Sequence, residues 1–383
     1  MKKYDLFIFA AEDSADLHGY NLLSELKKTL NLKILSVSGP RMRKHETDIF
    51  LKMEDFHVMG LTDIIFSLPR MLKLFFKLRK KLLTENPKVI IFIDYPDFTM
   101  LLEKSLRKKG FKNQIIHYIA PTVWAWRKNR MFALEKNVDV LMSIFPFEKA
   151  YFSKTKLDVR YIGHPLYDIS LEKNEHSRDL IGIFPGSRRN EILRNFTYQV
   201  HAMKELLKID QNLKFAISNN FSSFIEAELK KNNINTKNII FFPFEENYTF
   251  MKKMKFAIAT SGTINLELAL HKVPTVVNFK IKKIDLFLGK YILKINLPFY
   301  CIVNIILQKE IFFELYGPHL TFANIAKCSK QLLFEKTYYQ NALEGCENLT
   351  QILKSENANK NAAAIIFEKL KYTQDTNKKN INN

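Results

Sequence analysis

Pro185-Gly186-Ser187-Arg188-Arg189 follow an apolar run, Leu180–Phe184, and precede helically spaced apolar residues from Asn190 to Leu207. A strand that turns through Gly and Ser into a helix presents unpaired backbone N–H groups at the positive end of the helix dipole, where anions bind. Two readings fit: a cradle for a nucleotide diphosphate, or an ordinary turn whose arginines face water. Thr260–Glu267, TSGTINLE, repeats the device. There Ser261, Gly262 and Thr263 offer N–H groups and hydroxyls to a phosphate, and Glu267 sits where it can accept from ribose hydroxyls. Carboxylates mark the first half of the chain. Asp94 ends the apolar run Val89–Ile93 just before Pro96, and Asp97 can cap a helix beginning at Phe98. A desolvated carboxylate with a raised pKa serves as a general base; the alternative is a turn residue bonded to loop N–H groups. Glu12, Asp13 and Asp16 follow the first apolar run, where acids also serve as caps and dipole partners.

These residues need elements to hold them. Apolar runs at Leu6–Ala10, Lys33–Ser38, Val89–Ile93, Gln114–Ile119, Val138–Ser143 and Val159–Ile162 predict strands, with helically spaced segments between most of them. Gly163–Arg178 loses periodicity and reads as a linker. The pattern restarts with Leu180–Phe184, Lys214–Ile217, Ile239–Phe242, Phe256–Ala259 and Thr275–Phe279. His319 to about Lys371 reads as helical throughout, and Thr373–Asn383 as disordered. Alternation of this kind predicts an α/β chain of two Rossmann-like, doubly wound domains facing a cleft, with a helical C-terminal segment. The expected domains are 1–165 on the acceptor and membrane side and 166–354 for nucleotide binding. A helix at about 355–371 is expected to return to the first domain, followed by a tail from 372.

Composition narrows the function classes. The 383 residues suffice for two cores. Three scattered cysteines form no CxxC pair, so no disulfide framework is expected. The N-terminal apolar run stops at Glu12 and Asp13, too early for a signal peptide, and no run approaches the ~20 residues of a membrane span. A cytoplasmic protein is expected. The net charge of +20 admits a nucleic-acid reading, but Lys, Asn, Ile and Phe are abundant together, as A/T-rich codons dictate, and no nucleic-acid motif appears. His, Cys and Asp show no metal-ligand spacing, so neither metal nor cofactor is expected.

Two further segments stand out. Ile119–Arg127, IAPTVWAWR, holds both tryptophans, either a sugar or lipid platform or a buried interface. Arg70–Leu83, RMLKLFFKLRKKLL, has six basic residues and no acid; Lys280–Lys294 is similar with one acid. Such helices lie on anionic membranes or simply present a solvated face. Adjacent Phe75 and Phe76, with Lys73 and Lys77, widen the first into a candidate membrane contact.

Taken together, the chain resembles bacterial lipid-A-disaccharide synthases, glycosyltransferases of the two-Rossmann GT-B type, from Leu6 to about Leu370. The resemblance rests on EDSAD, SGPRM at Ser38–Met42, VMG at Val58–Gly60, IDYPDF, HYIAPTVWAWR, FPFEKAYF, YIGHP, FPGSRRNE, SGTINLELAL and the loop after Asn304. Ala11 and Ala15 stand where the family has glycines, and Ile302-Val303 where it has Leu-Pro. The resemblance implies transfer from UDP-2,3-diacylglucosamine to 2,3-diacylglucosamine 1-phosphate at the inner membrane, and the lack of a metal motif leaves helix N-termini and Arg188 to supply positive charge. The resemblance also implies Asp94 as base, Glu12 as a second essential carboxylate, and Arg188, Glu267 and Asn304 in the UDP-sugar site, where the reading of the two turns also puts Ser187, Ser261, Gly262 and Thr263. Another nucleotide-sugar enzyme of the same fold, or a basic nucleic-acid-binding protein, is the alternative.

Overall fold

The computed structural model describes residues 4–56, 61–123, 129–169, 178–186, 189–218, 222–281, 297–354 and 357–381. They form two compact units, residues 1–168 with 354–383, and residues 169–353.

In the first unit the strands are β1 (Leu6–Ala10), β2 (Ile34–Ser38), β3 (Asp48–Lys52), β4 (Val89–Ile93), β5 (Gln114–Tyr118), β6 (Val140–Ser143) and β7 (Asp158–Tyr161). The helices are α1 (Asp13–Thr29), α2 (Leu61–Glu85), α3 (Pro96–Lys108), α4 (Arg130–Asn137), α5 (Glu148–Tyr151) and α6 (Pro165–Ile169). Among the described residues the strands make one parallel sheet in the order β3-β2-β1-β4-β5-β6-β7. The central strands β1, β4 and β5 are buried at every position. Helices on both faces demand apolar side chains on both faces, hence continuous apolar runs rather than alternation.

The second unit repeats the plan with β8 (Leu180–Phe184), β9 (Lys214–Ser218), β10 (Ile239–Phe242), β11 (Met254–Thr260), β12 (Thr275–Phe279) and β13 (Phe313–Tyr316). Its helices are α7 (Arg189–Leu207), α8 (Ser222–Lys231), α9 (Asn247–Met251), α10 (Ile264–Leu270), α11 (Ile302–Leu307), α12 (Phe322–Phe334) and α13 (Lys336–Leu353). Its parallel sheet runs β10-β9-β8-β11-β12-β13.

The last helix, α14 (Ala358–Ile381), belongs to the first unit. Glu368 pairs with Arg160 at 2.6 Å, Asn361 donates to Ile162 O, and Ala358, Ala362 and Ile366 are fully buried. The helix continues through residues 372–381, where the sequence predicts a disordered tail. No Gly or Pro interrupts that stretch, and the Thr373 hydroxyl bonds back to Lys369 O within the helix. The linker expected at 163–178 contains α6, started by Pro165 at a first-turn position that needs no N–H. The single helical segment expected from His319 is three helices, broken at Glu335 and near Asn357, whose φ is +39°.

Candidate active site

Ligands of doubly wound sheets bind beyond the carboxyl ends of the strands, where the strand order reverses. In the first unit that point lies between β1 and β4, whose last residues Ala10 and Ile93 are register partners. Glu12 follows one strand and Asp94 the other. The two carboxylates therefore leave the same edge of the sheet from adjacent strands.

Asp94 and Tyr95 both adopt left-handed backbone, φ +55° and +58°. Asp tolerates this region better than most residues, whereas a bulky side chain there carries strain of about 1–3 kcal/mol. The kink is held from three directions. Asp94 N donates to Tyr118 O at 2.9 Å, and the Thr99 hydroxyl reaches the carbonyls of Asp94 and Tyr95. Below it Phe9 stacks on Phe98 at 5.7 Å and meets Phe56 and Phe92 edge-on, at about 0.5–1.5 kcal/mol per aromatic pair. Those contacts oppose the strain and hold the kink at the end of β4. Desolvation pushes the Asp94 carboxyl above the ordinary carboxylate range; the Tyr95 N–H and the charge of His117 oppose it more weakly. The helix starts at Pro96 on this kink, not at Phe98 under an Asp97 cap. Asp97 is exposed in the first turn and pairs with Arg130.

Glu12 is half-buried and immediately precedes α1, with its carbonyl accepting from Asp16 N at 2.8 Å. Asp13 is exposed in the first turn. Asp16 is 0 % exposed. Its carboxylate accepts from the backbone N–H groups of Gly39, Arg41 and Met42 at 2.8, 2.8 and 3.1 Å. It thereby ties the start of α1, and so Glu12, to the SGPRM loop after β2. A Cβ on Gly39 would stand 2.5 Å from that carboxyl carbon, so the approach requires glycine.

In the second unit the order reverses between β8 and β11. The Pro185–Arg189 turn and the Ser261–Thr263 turn follow these two neighbouring strands. Gly186 has φ +120°, and a Cβ there would meet the Glu191 side chain at 3.1 Å, so this turn also requires glycine. Ser187 and Arg188 lie outside the described residues; Arg189 is exposed at the start of the 19-residue α7. Ser261 N donates to Asn278 O, while Gly262 and Thr263 are exposed before α10. Glu267 is half-buried inside α10. Beneath both turns lies a polar network absent from the sequence reading. Gln199 of α7 donates to Phe184 O at 3.1 Å and to Asn278 Oδ1 at 2.9 Å, and Thr260 donates to Pro185 O at 2.9 Å. Asn195 accepts from Lys280 N at 2.7 Å. Lone polar residues inside otherwise apolar runs are the signal that could have found it.

Beside the Ser261 turn is a cavity of about 160 Å³ lined by Ser261, Phe279, Tyr300, Cys301, Glu314 and Tyr316, among others. Asn304, expected at the UDP-sugar, stands behind this wall at 0 % exposure. Its Oδ1 accepts from Ile311 N and Phe312 N, and its Nδ2 donates to Phe312 O and Glu314 Oε1, all at 2.8–2.9 Å. Both lone pairs and both protons of the amide are spent on its own unit. Glu314 in turn accepts from Tyr300 N and Cys301 N, and burial raises its pKa.

On α2, Leu68, Leu72 and Phe76 form an i, i+4, i+8 stripe, each about half exposed at 47–55 %. Arg70, Lys73, Lys77 and Lys80 are exposed on the same helix. Phe75 does not join the stripe: it packs on the core, edge-on to Phe98 at 5.8 Å. Successive helical residues are ~100° apart and cannot share one face. Val58–Gly60, both tryptophans and most of Lys280–Lys294 lie outside the described residues. No helix among the described residues is long and apolar enough to cross a membrane.

The lipid-A-disaccharide synthase of Chlamydia pneumoniae is 39% identical over 325 residues, 81% of this chain and 53% of its own length. That of Chlamydia trachomatis serovar D is 36% identical over 385 residues, 94% of this chain and 62% of its own. The chain thus spans between about half and three-fifths of the length of these relatives, whereas it covers 97% of the Geobacter metallireducens synthase at 29% identity. Among solved structures, UDP-GlcNAc 2-epimerase from Neisseria meningitidis superposes with a TM-score of 0.62 at 14% identity, over 95% of this chain and 98% of that one. The fold is GT-B. A model of the family described as lipid-A-disaccharide synthetase matches residues 6–367, and the chain belongs to that family.

Proposed function

We propose that the protein is an inverting glycosyltransferase that joins UDP-2,3-diacylglucosamine to 2,3-diacylglucosamine 1-phosphate, giving the β-1,6-linked lipid A disaccharide 1-phosphate and UDP. The names of its relatives support a lipid A disaccharide as the product, and the substrate pair is the one that the family resemblance implies. The observation that carries the chemistry is Asp94, a desolvated carboxylate on a strained strand end at the switch point. Asp94 takes the proton of the acceptor 6-hydroxyl as its oxygen bonds to the anomeric carbon of the donor, and the bond to UDP breaks on the opposite face. A raised pKa makes the carboxylate a stronger base near neutral pH. The departing diphosphate gains charge in the transition state, so N–H groups at the two turns, with Ser187, Arg188, Ser261, Gly262 and Thr263, stabilise it. Glu12 completes the acceptor side and Glu267 the ribose side. The α2 stripe, flanked by lysines, suits a peripheral enzyme that draws diacylated sugars from the cytoplasmic face of the inner membrane.

The decisive experiment supplies purified protein with both diacylated sugars and follows UDP release. Turnover is expected, with an acid limb in kcat/KM above the usual carboxylate range, since the active form is ionised Asp94. Asp94→Asn is expected to lower kcat by about 10²–10⁴ with UDP affinity nearly intact. Wild-type turnover in that variant removes Asp94 from the mechanism. No UDP release from the native chain, with tight salt-dependent RNA binding instead, overturns the reading altogether.

A further inference from the structure

Parallel register sets Val277 beside Glu314 and Phe279 beside Tyr316, so these four side chains leave one face of the second sheet at the carboxyl ends of β12 and β13. They wall the cavity of about 160 Å³ beside the Ser261 turn, together with Ser261, Ile281, Tyr300 and Cys301. Well-packed interiors leave few voids larger than a water molecule, whereas this one has the size that admits benzene, about six carbon atoms. Its surface is largely apolar. Val277 and Cys301 are 3 and 1 % exposed, and the Tyr300 and Tyr316 rings meet at 4.4 Å. The charged group of the wall is already paired: Glu314 accepts from Tyr300 N, Cys301 N and Asn304 Nδ2 at 2.8–2.9 Å. A nucleobase needs N–H groups and carbonyls along its edge, and those bonds withdraw both N–H groups from the wall. An alkyl chain needs neither.

We propose that this cavity takes about six carbons of one acyl chain of the nucleotide-sugar donor, so that the second unit grips lipid as well as nucleotide; this rests on the reading of the Ser261 turn as a diphosphate site and of the donor as diacylated. In such a donor the anomeric carbon carries the diphosphate, and the acyl groups branch from the next two ring carbons. A diphosphate held at Ser261 therefore sets the start of a chain beside the wall that Ser261 shares. Each methylene that leaves water for this lining adds affinity that UDP alone does not have. The volume holds only the part of a longer chain nearest the sugar, so the cavity rewards length up to that point and is indifferent beyond it.

The test is binding, without turnover. Full-length protein is titrated with UDP and with soluble UDP-diacylglucosamines in two series. Each series keeps acetyl at one position while the other runs from acetyl through butanoyl and hexanoyl to decanoyl. In one series affinity is expected to rise roughly fourfold per methylene as far as hexanoyl and then to flatten. Cys301→Leu adds bulk to a residue that lines the void. It should cost the hexanoyl donor roughly tenfold while UDP affinity stays within about twofold. Tyr300→Ala removes a wall residue that is 39 % exposed, which spares the fold, and should cut the rise below about twofold per methylene. Flat affinities in both series, or a rise that continues undiminished to decanoyl, overturn the proposal. If Cys301→Leu weakens UDP as much as the hexanoyl donor, the cavity is a nucleotide pocket and the proposal falls. An unchanged rise in Tyr300→Ala overturns it even where Cys301→Leu fails to fold. Failure of the glycosyltransferase reading would appear separately, as absence of UDP release from native protein whose binding still follows chain length; a native protein that binds no UDP overturns both.

Discussion

Replacing Asn304 by alanine removes four hydrogen bonds at once, those to Ile311 N, Phe312 N, Phe312 O and Glu314. Phe312 is fully buried, so water cannot replace its partners at little cost. At a net ~1 kcal/mol per bond the variant should lose about 4 kcal/mol. For a unit of this size that lowers the Tm by roughly 8–16 °C. Asn304→Asp separates geometry from charge. It keeps both acceptor contacts but turns the 2.8 Å contact with Glu314 into two opposed carboxylates. One must bind a proton, so this variant should be closer to native at pH 5 than at pH 8. Calorimetric unfolding at the two pH values, alongside UDP binding by titration calorimetry, makes the comparison. UDP affinity should fall only together with Tm. An alanine variant with native Tm and weakened UDP binding would mean that Asn304 touches the nucleotide, and the reasoning about its saturated amide would fail.

Asp16→Asn retains one acceptor oxygen and points an NH₂ at a backbone N–H, costing about 2 kcal/mol and a Tm fall near ~5 °C; an unchanged Tm would show that the SGPRM loop does not depend on it. His18 and His164 are kept neutral by burial, their pKa values pushed down to about 4 and about 3. Their contribution to stability is complete above pH 6.5 and is lost on acidification, at about 1.4 kcal/mol per pH unit for each ring, because the unfolded chain binds the protons first. Urea midpoints between pH 7.5 and 5 should show this slope, and His18→Leu should flatten it; equal slopes in the two proteins would count against it. Leu72→Ser with Phe76→Ser should weaken sedimentation with anionic vesicles at least tenfold without changing the Tm, since both side chains are already half exposed. Undiminished sedimentation would place the membrane contact elsewhere.

The central strands were legible because burial on both faces writes itself as an unbroken apolar run, as in LFIFA and VIIFI. The edge strands β3 and β13 were not: each has a single buried residue, Leu51 or Leu315, and no such run. The site divides on similar lines. Asp94 and the two glycine turns stand out as breaks at strand ends. The Tyr95 kink that starts α3 two residues early is invisible, because nothing in Asp-Tyr-Pro states that a tyrosine accepts left-handed backbone. Asn304 and Asp16 show the converse. Residue type marked them as polar in a functional motif, but only packing reveals that Asn304 spends its amide on Ile311, Phe312 and Glu314 and that Asp16 spends its carboxylate on the backbone of Gly39, Arg41 and Met42. Phe75 and Phe76 were separable by helical geometry alone.

The return of α14 to the first unit has a consequence for the order in which the molecule is made. A ribosome delivers the seven strands of that unit early, yet the helix that buries Ala358, Ala362 and Ile366 emerges after the whole second unit. During synthesis the nascent first unit therefore carries an uncovered apolar flank alongside α1 and β4, a natural client surface for chaperones. Emergence of the last helix, rather than completion of the N-terminal sheet, is the moment at which the first unit becomes whole.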